Sequence, residues 1–358
     1  MKEIRYAIIG CGKVSSLHAK ALSVSEGSRL VAVCNHHLDK AQSFARIWNV
    51  NAYDDITSMI TKEKVDVVII TTPHPAHKDN AIEAMRAGCH VLTEKPMATT
   101  VDDCMQMLDA ALKYHKKLAV VSQRRWYPAS QRIKKAIEEG KLGIPMLGEA
   151  TVLGWRDEKY YLSADWRGKW ESEGGGIVIN QASHQLDLLH WYLGPVREVF
   201  GFWKNINHPY IEVEDTAVGV VLFQSGAMAS ITLSNSQRPG LYAKVHIHGD
   251  SAASVGVQTD GGAMFLPGQE GIIQPPLNDL WTIAGDEDKL KLWEKQDTDY
   301  FATIDATWYF FKMQIEDFTR SLLEDKNPAC DGLQGLETVK LIEGIYSSGR
   351  SGKPVIYR

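Results

Sequence analysis

The sequence lacks the features that mark several large classes of protein. Its five cysteines are odd in number and scattered, and no two form a C-x-x-C pair, which argues against a disulfide framework and against a zinc cage. No stretch approaches the ~18 uninterrupted apolar residues of a membrane span. We therefore expect a soluble protein of a reducing compartment, the cytoplasm.

Positive charge is not in excess either. The 358 residues include 39 basic and 44 acidic side chains, a net charge of −5, and no basic tract is dense enough to follow a phosphate backbone. This argues against a nucleic-acid partner. The composition is that of a globular protein, and at ~100–200 residues per domain the length predicts two domains.

Short apolar runs alternate with amphipathic segments in the first part of the chain. Runs such as Arg5–Ile9 and Val65–Ile70 have strand character, and segments such as Leu38–Trp48 and Val101–His115 have the length of crossover helices. This alternation predicts an α/β domain over residues 1–121, with a doubly wound parallel sheet covered by helices.

A second pattern follows over residues 122–358, where long strand-like runs are separated by hairpin turns. It predicts an α/β domain with a large, mostly antiparallel open sheet. Helices are predicted over Gly176–Leu193, Ile304–Leu323 and Leu333–Ser347, and this last helix could pack back on the first domain. The segment Gly256–Asp299 is interpreted as irregular strands and loops.

A glycine-rich turn follows the first strand and opens a helix, which is the context that a dinucleotide-binding fingerprint requires. The turn reads Gly10-Cys11-Gly12-Lys13-Val14-Ser15. Gly10 would permit the tight turn, and Gly12 would let a pyrophosphate approach the backbone N–H groups at the helix N-terminus. Ser15 stands where a third Gly or Ala is usual, so the packing there must accept a hydroxyl.

The residues at the end of the second strand bear on the choice between NAD and NADP as cofactor. An NAD-selecting site places an acidic residue there, on the ribose 2′-hydroxyl, whereas this chain has Asn35-His36-His37. Asn35 can hydrogen-bond a hydroxyl but does not repel a 2′-phosphate, and no Arg follows to attract one. Both NAD and NADP therefore stay open, with NAD favoured.

Two further segments carry a family resemblance. Val67–Ala98 reads VVIITTPHPAHKDNAIEAMRAGCHVLTEKPMA, and Gly174–Asp187 reads GGGIVINQASHQLD. With the glycine-rich turn, they closely resemble the glucose–fructose oxidoreductase / inositol dehydrogenase / rhizopine-catabolism (Gfo/Idh/MocA) family of NAD(P)-dependent sugar oxidoreductases. The resemblance implies a Rossmann domain joined to an α/β domain whose open sheet forms a homodimer or homotetramer interface.

The resemblance also implies roles for particular residues. The Thr72-Pro73 turn and His77 would line the cofactor, and Glu94-Lys95-Pro96 would be the family signature that carries the catalytic lysine, Lys95. The segment QRRWYP from Gln123 would lie near the nicotinamide. The predicted cofactor-binding set is Gly10, Gly12, Lys13, Val14, Asn35, His36, Thr72, Pro73, His77, Glu94, Lys95, Gln123 and Arg125.

In the third motif, the resemblance makes His184 the expected acid/base, with Asn180 where the family has Asp or Asn. With Asp187, these residues have the spacing of one helical face. Asn180 can hydrogen-bond but cannot balance an imidazolium charge, so Asp187 either takes that part or pairs elsewhere. The predicted catalytic set is Lys95, Asn180 and His184.

Aromatic side chains are dense between Trp155 and Glu173, where three tryptophans and two tyrosines occur. They would suit stacking on a pyranose, or they simply pack the interior. Arg124, Arg125, Arg156 and Arg167 could each clamp an anionic group or be structural. The predicted substrate-binding set is Lys95, Trp155, Arg156, Tyr160, Trp166, Arg167, Asn180 and His184. The histidine spacings include no supporting set of metal ligands, so no metal is predicted.

Oxidation of a secondary alcohol needs a base for the hydroxyl proton and a group that steadies charge on its oxygen. His184 suits the first part and Lys95 the second. The sequence therefore predicts an NAD(P)-dependent dehydrogenase that oxidises a ring secondary hydroxyl of a sugar, inositol or sugar derivative. The segment from Trp155 to Trp170 resembles the branch of the family that acts on hexose and amino-sugar derivatives, often at the 3-hydroxyl. Two alternatives stay open: an NAD-dependent glycosidase that works by transient oxidation and elimination, and a non-catalytic sensor of the same fold.

Overall fold

The computed structural model describes residues 3–261, 274–286 and 288–357. The chain divides into two compact units, the first made of Met1–Gln123 with Thr307–Val339 and the second of Arg124–Ala306 with Lys340–Arg358. None of the helices within the described ranges has both the length and the apolar content needed to cross a lipid bilayer.

The helices and strands follow one another in the order that the sequence patterns predict for an α/β chain. The first unit opens with β1 (Ile4–Ile9), α1 (Lys13–Leu22), β2 (Ser28–Cys34), α2 (Leu38–Trp48), β3 (Asn51–Tyr53), α3 (Ile56–Glu63), β4 (Val67–Ile70), α4 (His77–Arg86), β5 (His90–Thr93), α5 (Val101–Lys113) and β6 (Leu118–Val120). The second unit contains α6 (Pro128–Glu138), β7 (Pro145–Leu153), α7 (Glu158–Leu162), α8 (Trp170–Glu173), α9 (Ser183–Leu193), β8 (Val196–Lys204), β9 (Thr216–Phe223), β10 (Met228–Ser234), β11 (Tyr242–Gly249), β12 (Ser254–Gly261), β13 (Leu277–Trp281) and α10 (Lys289–Phe301). The chain ends with α11 (Tyr309–Leu323), α12 (Gly332–Ser351) and β14 (Val355–Ile356).

The sheet of the first unit is parallel, with strand order β3-β2-β1-β4-β5-β6. This confirms the predicted doubly wound fold. The order reverses between β1 and β4, where Ile9 pairs with Cys34 on one side and Ile70 on the other. In open parallel sheets, ligands bind in the crevice at the carboxyl ends of the strands beside such a reversal. The loops after β1, β4 and β5 therefore share one functional edge.

Both faces of this sheet are buried. Alternate residues of β1 point to opposite sides, so Ala7 and Ile9 join the core under α4 and α5, whereas Tyr6 and Ile8 join the core under α1 and α2. Helix α11 completes the second of these cores. It lies in the stretch 122–358 that the sequence pattern assigned to the second domain, yet Phe311, Ile315 and Phe318 on α11 pack there.

The sheet of the second unit has the order β13-β12-β11-β7-β10-β9-β8-β14. Its neighbours are antiparallel except for β7 and β10, which confirms the predicted mostly antiparallel sheet. One face is buried against α6, α9 and the second half of α12, and side chains such as Leu189 and Ile345 fill that core.

The opposite face of this sheet is exposed and partly apolar. Phe202, Val220 and Met228 on the neighbouring strands β8, β9 and β10 are each more than half exposed, at 59%, 57% and 59%. Phe202 also pairs across the strands with Val218. An apolar patch of this kind marks a surface that another protein can cover.

Two sequence predictions in this unit were wrong in detail. The helix predicted over Gly176–Leu193 is α-helical only from Ser183. Residues 177–182 form a turn instead, and the N–H groups of residues 176–178 donate to Glu214. The segment Gly256–Asp299 is more regular than predicted, since it contains β13 and most of β12 and of α10. Residues 262–273 of that segment lie outside the described residues.

Candidate active site

The glycine-rich turn of the first unit has the geometry that a dinucleotide requires. Gly10 adopts φ = +100°, and a Cβ on it would lie 2.9 Å from the carbonyl carbon of Thr71, so only glycine fits. Gly12 is the N-cap of α1, and a Cβ on it would meet no heavy atom within 4 Å. Lys13 and Val14 form the first turn of that helix. The open helix N-terminus can therefore accept a phosphate.

Ser15 explains how the turn works without a third glycine. Its side chain is fully buried, and its hydroxyl accepts the Gly12 N–H at 2.9 Å and lies 2.8 Å from the Thr71 hydroxyl. A buried hydroxyl with two hydrogen-bond partners carries no desolvation penalty of the kind an orphaned one would. The serine ties helix α1 to the turn after β4.

The end of β2 presents an amide where many NAD sites have a carboxylate. The side-chain oxygen of Asn35 accepts the His37 N–H at 2.9 Å, and the Asn35 N–H donates to Tyr53. His36 is exposed, and its ring stacks on that of His37 with centroids 4.0 Å apart. Asn35 is thus held in place beside the sheet edge.

His77 fastens two backbone segments together. It is fully buried, and its Nε2 and Nδ1 atoms lie 2.9 Å from the carbonyl oxygens of Thr72 and Pro96, respectively. Burial lowers the pKa of this imidazole in spite of the two carbonyls. The ring joins the Thr72-Pro73 turn, after β4, to the loop after β5, and so holds these two backbone segments together.

A buried hydrogen bond between His18 and Glu94 anchors the loop that carries Lys95. His18 on α1 contacts Glu94 through Nε2 and Oε1 at 2.8 Å, and the other Glu94 oxygen accepts the Lys95 N–H at 3.1 Å. Burial would raise the pKa of Glu94, but the His18 hydrogen bond and the charges of His18 and Lys95 outweigh it, so that pKa lies below its usual range. Lys95 itself is half-buried.

The first of the two segments that make up the first unit ends at Gln123. The side-chain oxygen of Gln123 is buried and has no hydrogen-bond partner within the described part of the chain. Native proteins seldom leave such an atom unsatisfied, so a bound ligand is a fitting partner. With the glycine turn, this observation shows that the residues present fit a dinucleotide.

In the second unit, the glycine-rich third motif forms a turn that is clamped by Glu214. This fully buried carboxylate accepts the N–H groups of Gly176 at 2.8 Å and Val178 at 3.0 Å, and the Tyr346 hydroxyl at 2.8 Å. A Cβ on Gly175 or Gly176 would collide with Tyr346 or with the Glu214 carbonyl. Burial raises the pKa of Glu214 to about 7 in spite of these donors.

Asn180 lies in this turn and His184 lies in the first turn of α9, so the predicted common helical face does not exist. The Nδ2 atom of Asn180 donates to a carboxylate oxygen of Glu173 and lies 3.3 Å from the Tyr160 hydroxyl. Glu173 is buried and was not predicted from the sequence. The Asn180 side chain is thus in hydrogen-bond contact with a buried carboxylate.

Asp187 pairs with Arg125. Two nitrogens of the Arg125 guanidinium bind the two carboxylate oxygens at 2.9 and 2.7 Å, and His190 lies 3.4 Å away. Burial would raise the pKa of Asp187, but the Arg125 charge and the His190 hydrogen bond hold it well below its usual range. The Arg125 guanidinium also stacks over Trp191.

The aromatic segment gathers several of the predicted substrate-binding residues around Tyr160. The guanidinium of Arg167 stacks over the rings of Tyr160 and Trp166, with 4.2 and 4.5 Å to their centroids, and donates to the Tyr160 hydroxyl. The guanidinium of Arg156 also lies over the Tyr160 ring, 5.0 Å from its centroid, and donates to the Trp155 carbonyl. Stacked guanidinium groups and rings of this kind suit a polar, ring-shaped ligand.

A buried pair next to this cluster, His208 and Asp215, was also not predicted from the sequence. His208 lies 2.7 Å from an Asp215 oxygen through Nδ1 and 2.7 Å from the Arg156 carbonyl through Nε2. Both residues are fully buried, and the Trp155 ring lies 5.5 Å from that of His208. Within the described residues, no group of three His, Cys, Asp or Glu side chains is arranged to hold a metal ion.

The structure thus gathers the predicted residues into two sets. The first unit assembles the glycine turn, Thr72, His77, Glu94 and Lys95 along one sheet edge. The second unit assembles Asn180, Tyr160 and Arg167, with His184 on the adjoining helix.

Comparison with known proteins identifies the family of the chain. Residues 4–122 match the family described as an oxidoreductase family with an NAD-binding Rossmann fold, and residues 130–254 match the GFO/IDH/MocA C-terminal domain. The chain is 31% identical over 251 residues to the D-glucoside 3-dehydrogenase of Escherichia coli K12, covering 63% of this chain and 68% of that one. It is 26% identical to the inositol 2-dehydrogenase/D-chiro-inositol 3-dehydrogenase of Halalkalibacterium halodurans, covering 63% of each.

Among solved structures, the chain is similar to the WlbA dehydrogenase from Bordetella pertussis in complex with NADH and UDP-GlcNAcA. The TM-score is 0.86 at 31% identity, and the match covers 100% of this chain and 98% of that one. The first unit is therefore an NAD-binding Rossmann domain, as the glycine turn predicted.

Proposed function

The chain belongs to the GFO/IDH/MocA family of NAD-binding oxidoreductases, and from that premise we propose that it oxidises a ring secondary hydroxyl of a sugar derivative. We further propose the 3-hydroxyl of a hexose as the position. The names of its relatives support this choice, since they include a D-glucoside 3-dehydrogenase and a dehydrogenase solved with UDP-GlcNAcA.

One observation carries the proposal. The buried contact between His18 and Glu94 ties helix α1, whose N-terminus is the phosphate turn, to the residue that precedes Lys95. Lys95 is thus anchored through Glu94, and its position relative to the dinucleotide turn is fixed within a single unit. A surface lysine without a role would not need such an anchor.

The roles follow from the chemistry of the side chains. When bound, NAD supplies the nicotinamide ring that accepts a hydride from the substrate carbon. As the C–H bond breaks, the hydroxyl proton passes to a ring nitrogen of His184, and a carbonyl forms at that carbon. Lys95 orients the hydroxyl and stabilises the negative charge that develops on its oxygen.

The experiment is to mix purified protein with NAD or NADP and a panel of substrates, and to follow absorbance at the reduced nicotinamide band. The panel contains UDP-GlcNAcA, an alkyl glucoside, an aryl glycoside and an inositol. We expect reduced cofactor to form with at least one hexose derivative. Replacing Lys95 or His184 by Ala should lower turnover about 10²–10⁴-fold, as loss of acid–base or electrostatic catalysis does.

Cofactor affinity, measured by titration of the nicotinamide fluorescence, should stay within a few-fold in both variants. Lys40→Ala, a change of an exposed lysine on α2, is the matched control and should keep the full rate. Release of the aglycone without net reduced cofactor would identify the glycosidase alternative instead. Cofactor binding with no reaction on the whole panel would favour the sensor.

We also propose that the exposed face of the second sheet forms the subunit interface of a homodimer or homotetramer. The support is the apolar patch of Phe202, Val220 and Met228. Light scattering should give a mass that is a multiple of 39.9 kDa. A monomeric mass at micromolar concentration would contradict this assignment.

A further inference from the structure

Glu173 is a buried carboxylate in hydrogen-bond contact with Asn180, one of the predicted catalytic residues. It ends helix α8 and is only 1% exposed. One of its oxygens accepts the Gly168 N–H at 2.5 Å, and the other accepts the Nδ2 of Asn180. Both oxygens therefore face N–H donors, so the site of Glu173 requires two acceptors side by side.

The contact with Glu173 decides which way the Asn180 amide points. A side-chain amide has a donor arm and an acceptor arm of almost equal size, and only its partners distinguish the two orientations. In the observed orientation, Nδ2 faces the carboxylate. The flipped orientation would place Oδ1 against it, so that two acceptors would lie in hydrogen-bond contact with no proton between them.

Tyr160 does not provide the same control. Three N–H groups converge on its hydroxyl oxygen: those of Arg167, Gln181 at 2.9 Å and Asn180 at 3.3 Å. A phenolic oxygen has two lone pairs, and the contact with Asn180 is long. Of the two acceptors that Nδ2 contacts, Glu173 is therefore the one that fixes the amide.

We propose that Glu173 is a positioning residue that locks the Asn180 amide with its carbonyl arm turned away from Glu173, so that Asn180 serves as a hydrogen-bond acceptor for a hydroxyl of the substrate. The substrate part of this inference rests on the proposed function. The contact between Glu173 and Asn180 does not rest on the proposed function, because it is a property of the folded second unit.

The pattern of donors and acceptors predicts the outcome of exchanging the two residues. With Glu173→Gln, one arm becomes an N–H donor and faces either the Gly168 N–H or the Asn180 amide. With Asn180→Asp, two buried carboxylates lie in contact. In the double variant, the oxygen of the new glutamine accepts the Gly168 N–H, its nitrogen donates to the new carboxylate, and an acceptor oxygen again faces away.

The experiment is a double-mutant cycle on the full chain with NAD, scored by kcat/KM for the active sugar and by the midpoint of thermal unfolding. Glu173→Gln and Asn180→Asp should each lower kcat/KM about 10-fold to 100-fold, the range for losing a hydrogen bond to a charged group. The double variant should recover to within about threefold of the wild type. Glu171→Gln, on the same helix but exposed, is the matched control and should change neither readout.

Rescue by the double variant is the result that a merely bulky or structural Glu173 would not give. If the losses of the single variants multiply in the double variant, Glu173 does not orient Asn180 and the inference is overturned. If Glu173→Gln does not fold, recovery from Asn180→Asp to the double variant still decides the question.

The two readouts separate this inference from the proposed function. If the wild type reduces no cofactor with any sugar, the proposed function fails. Recovery of the unfolding midpoint in the double variant would still support the coupling between Glu173 and Asn180. Additive losses in the unfolding midpoint would overturn the coupling between Glu173 and Asn180, whatever the activity of the wild type.

Discussion

The two units hold their predicted functional residues by different means. In the first unit, backbone geometry does most of the work, through the positive φ of Gly10, the N-terminus of α1 and a single buried His18–Glu94 contact. In the second unit, buried acidic side chains hold the parts in place: Glu173 holds Asn180, Glu214 holds the glycine-rich turn, and Asp187 holds Arg125.

This difference has a physical consequence for the stability of each unit and for how well each unit tolerates substitutions. A phosphate turn needs little more than glycines and a helix start, which are local and tolerate changes elsewhere. A buried carboxylate needs partners for every lone pair, and removal of one partner leaves a charge uncompensated. We therefore expect the second unit to be the more sensitive of the two to single substitutions behind its site.

The largest effect is expected from Arg125→Ala. The side chains of Arg125 and Asp187 are only 2% and 6% exposed, so the change leaves a buried carboxylate without its cation. The free energy of unfolding should fall by about 3–5 kcal/mol. Urea denaturation measures it, with Lys135→Ala as the control, because Lys135 pairs with Glu139 on the exposed face of α6.

The control should lose at most about 0.5 kcal/mol, as exposed pairs do. A loss below about 1 kcal/mol in Arg125→Ala would show that the pair is not a main support of the second unit.

Glu214 should make the stability of the protein fall as the pH rises. Its carboxyl has a pKa of about 7 in the folded protein against 4.5 for the unperturbed group. The folded protein therefore holds a proton that the unfolded chain has lost between these values. The stabilisation is fully present below about pH 4.5 and is lost as the pH rises through about 7, with a total of about 3 kcal/mol at ~1.4 kcal/mol per pKa unit.

Denaturation of the wild type and of Glu214→Gln at a series of pH values from 5 to 8 measures this effect. The variant should show a flatter dependence, because an amide does not titrate. Glu212→Gln, an exposed change nearby, should keep the slope of the wild type. Equal slopes in the wild type and in Glu214→Gln would show that Glu214 is ionised throughout this range.

A smaller loss of stability is expected from Gly10→Ala in the first unit. The change adds a Cβ in the left-handed region, at φ = +100° and 2.9 Å from the Thr71 carbonyl carbon, and should cost about 1–3 kcal/mol. NAD affinity should fall with it, since the turn that receives the pyrophosphate must move.

Gly88→Ala is the matched control for this change. Gly88 has a similar φ of +105°, but a Cβ there would meet no atom within 4 Å. It should show the cost of backbone strain alone and keep its NAD affinity. If both variants bind NAD as the wild type does, the turn at Gly10 is not part of the cofactor site.

The sequence was sufficient to predict the N-terminal part of the first unit because its determinants are local. The strand, the two glycines and the helix start follow one another within residues 4–22, and the spacing of the apolar runs predicts the parallel sheet. Even Ser15, which departs from the usual pattern, acts within this segment and on the neighbouring Thr71.

The supports of the second unit could not be predicted in the same way. Glu214 is 38 residues from Gly176 and 132 from Tyr346, and Arg125 is 62 residues from Asp187. No local pattern marks an acidic residue as buried, and the apolar run after Gly176 has the composition of a helix although its N–H groups bind Glu214. The nearest signal was the aromatic density before Glu173, which pointed to the segment but not to the carboxylate.

Direct observation of hydride transfer decides whether the two units serve one reaction. Incubation of the protein with NAD and the sugar panel should produce reduced cofactor in step with oxidised sugar, and Lys95→Ala should bind NAD normally yet produce almost none. If the wild type binds NAD and reduces none of it with any sugar, or if Lys95→Ala works at the full rate, the function and the role of Lys95 proposed for this chain are wrong.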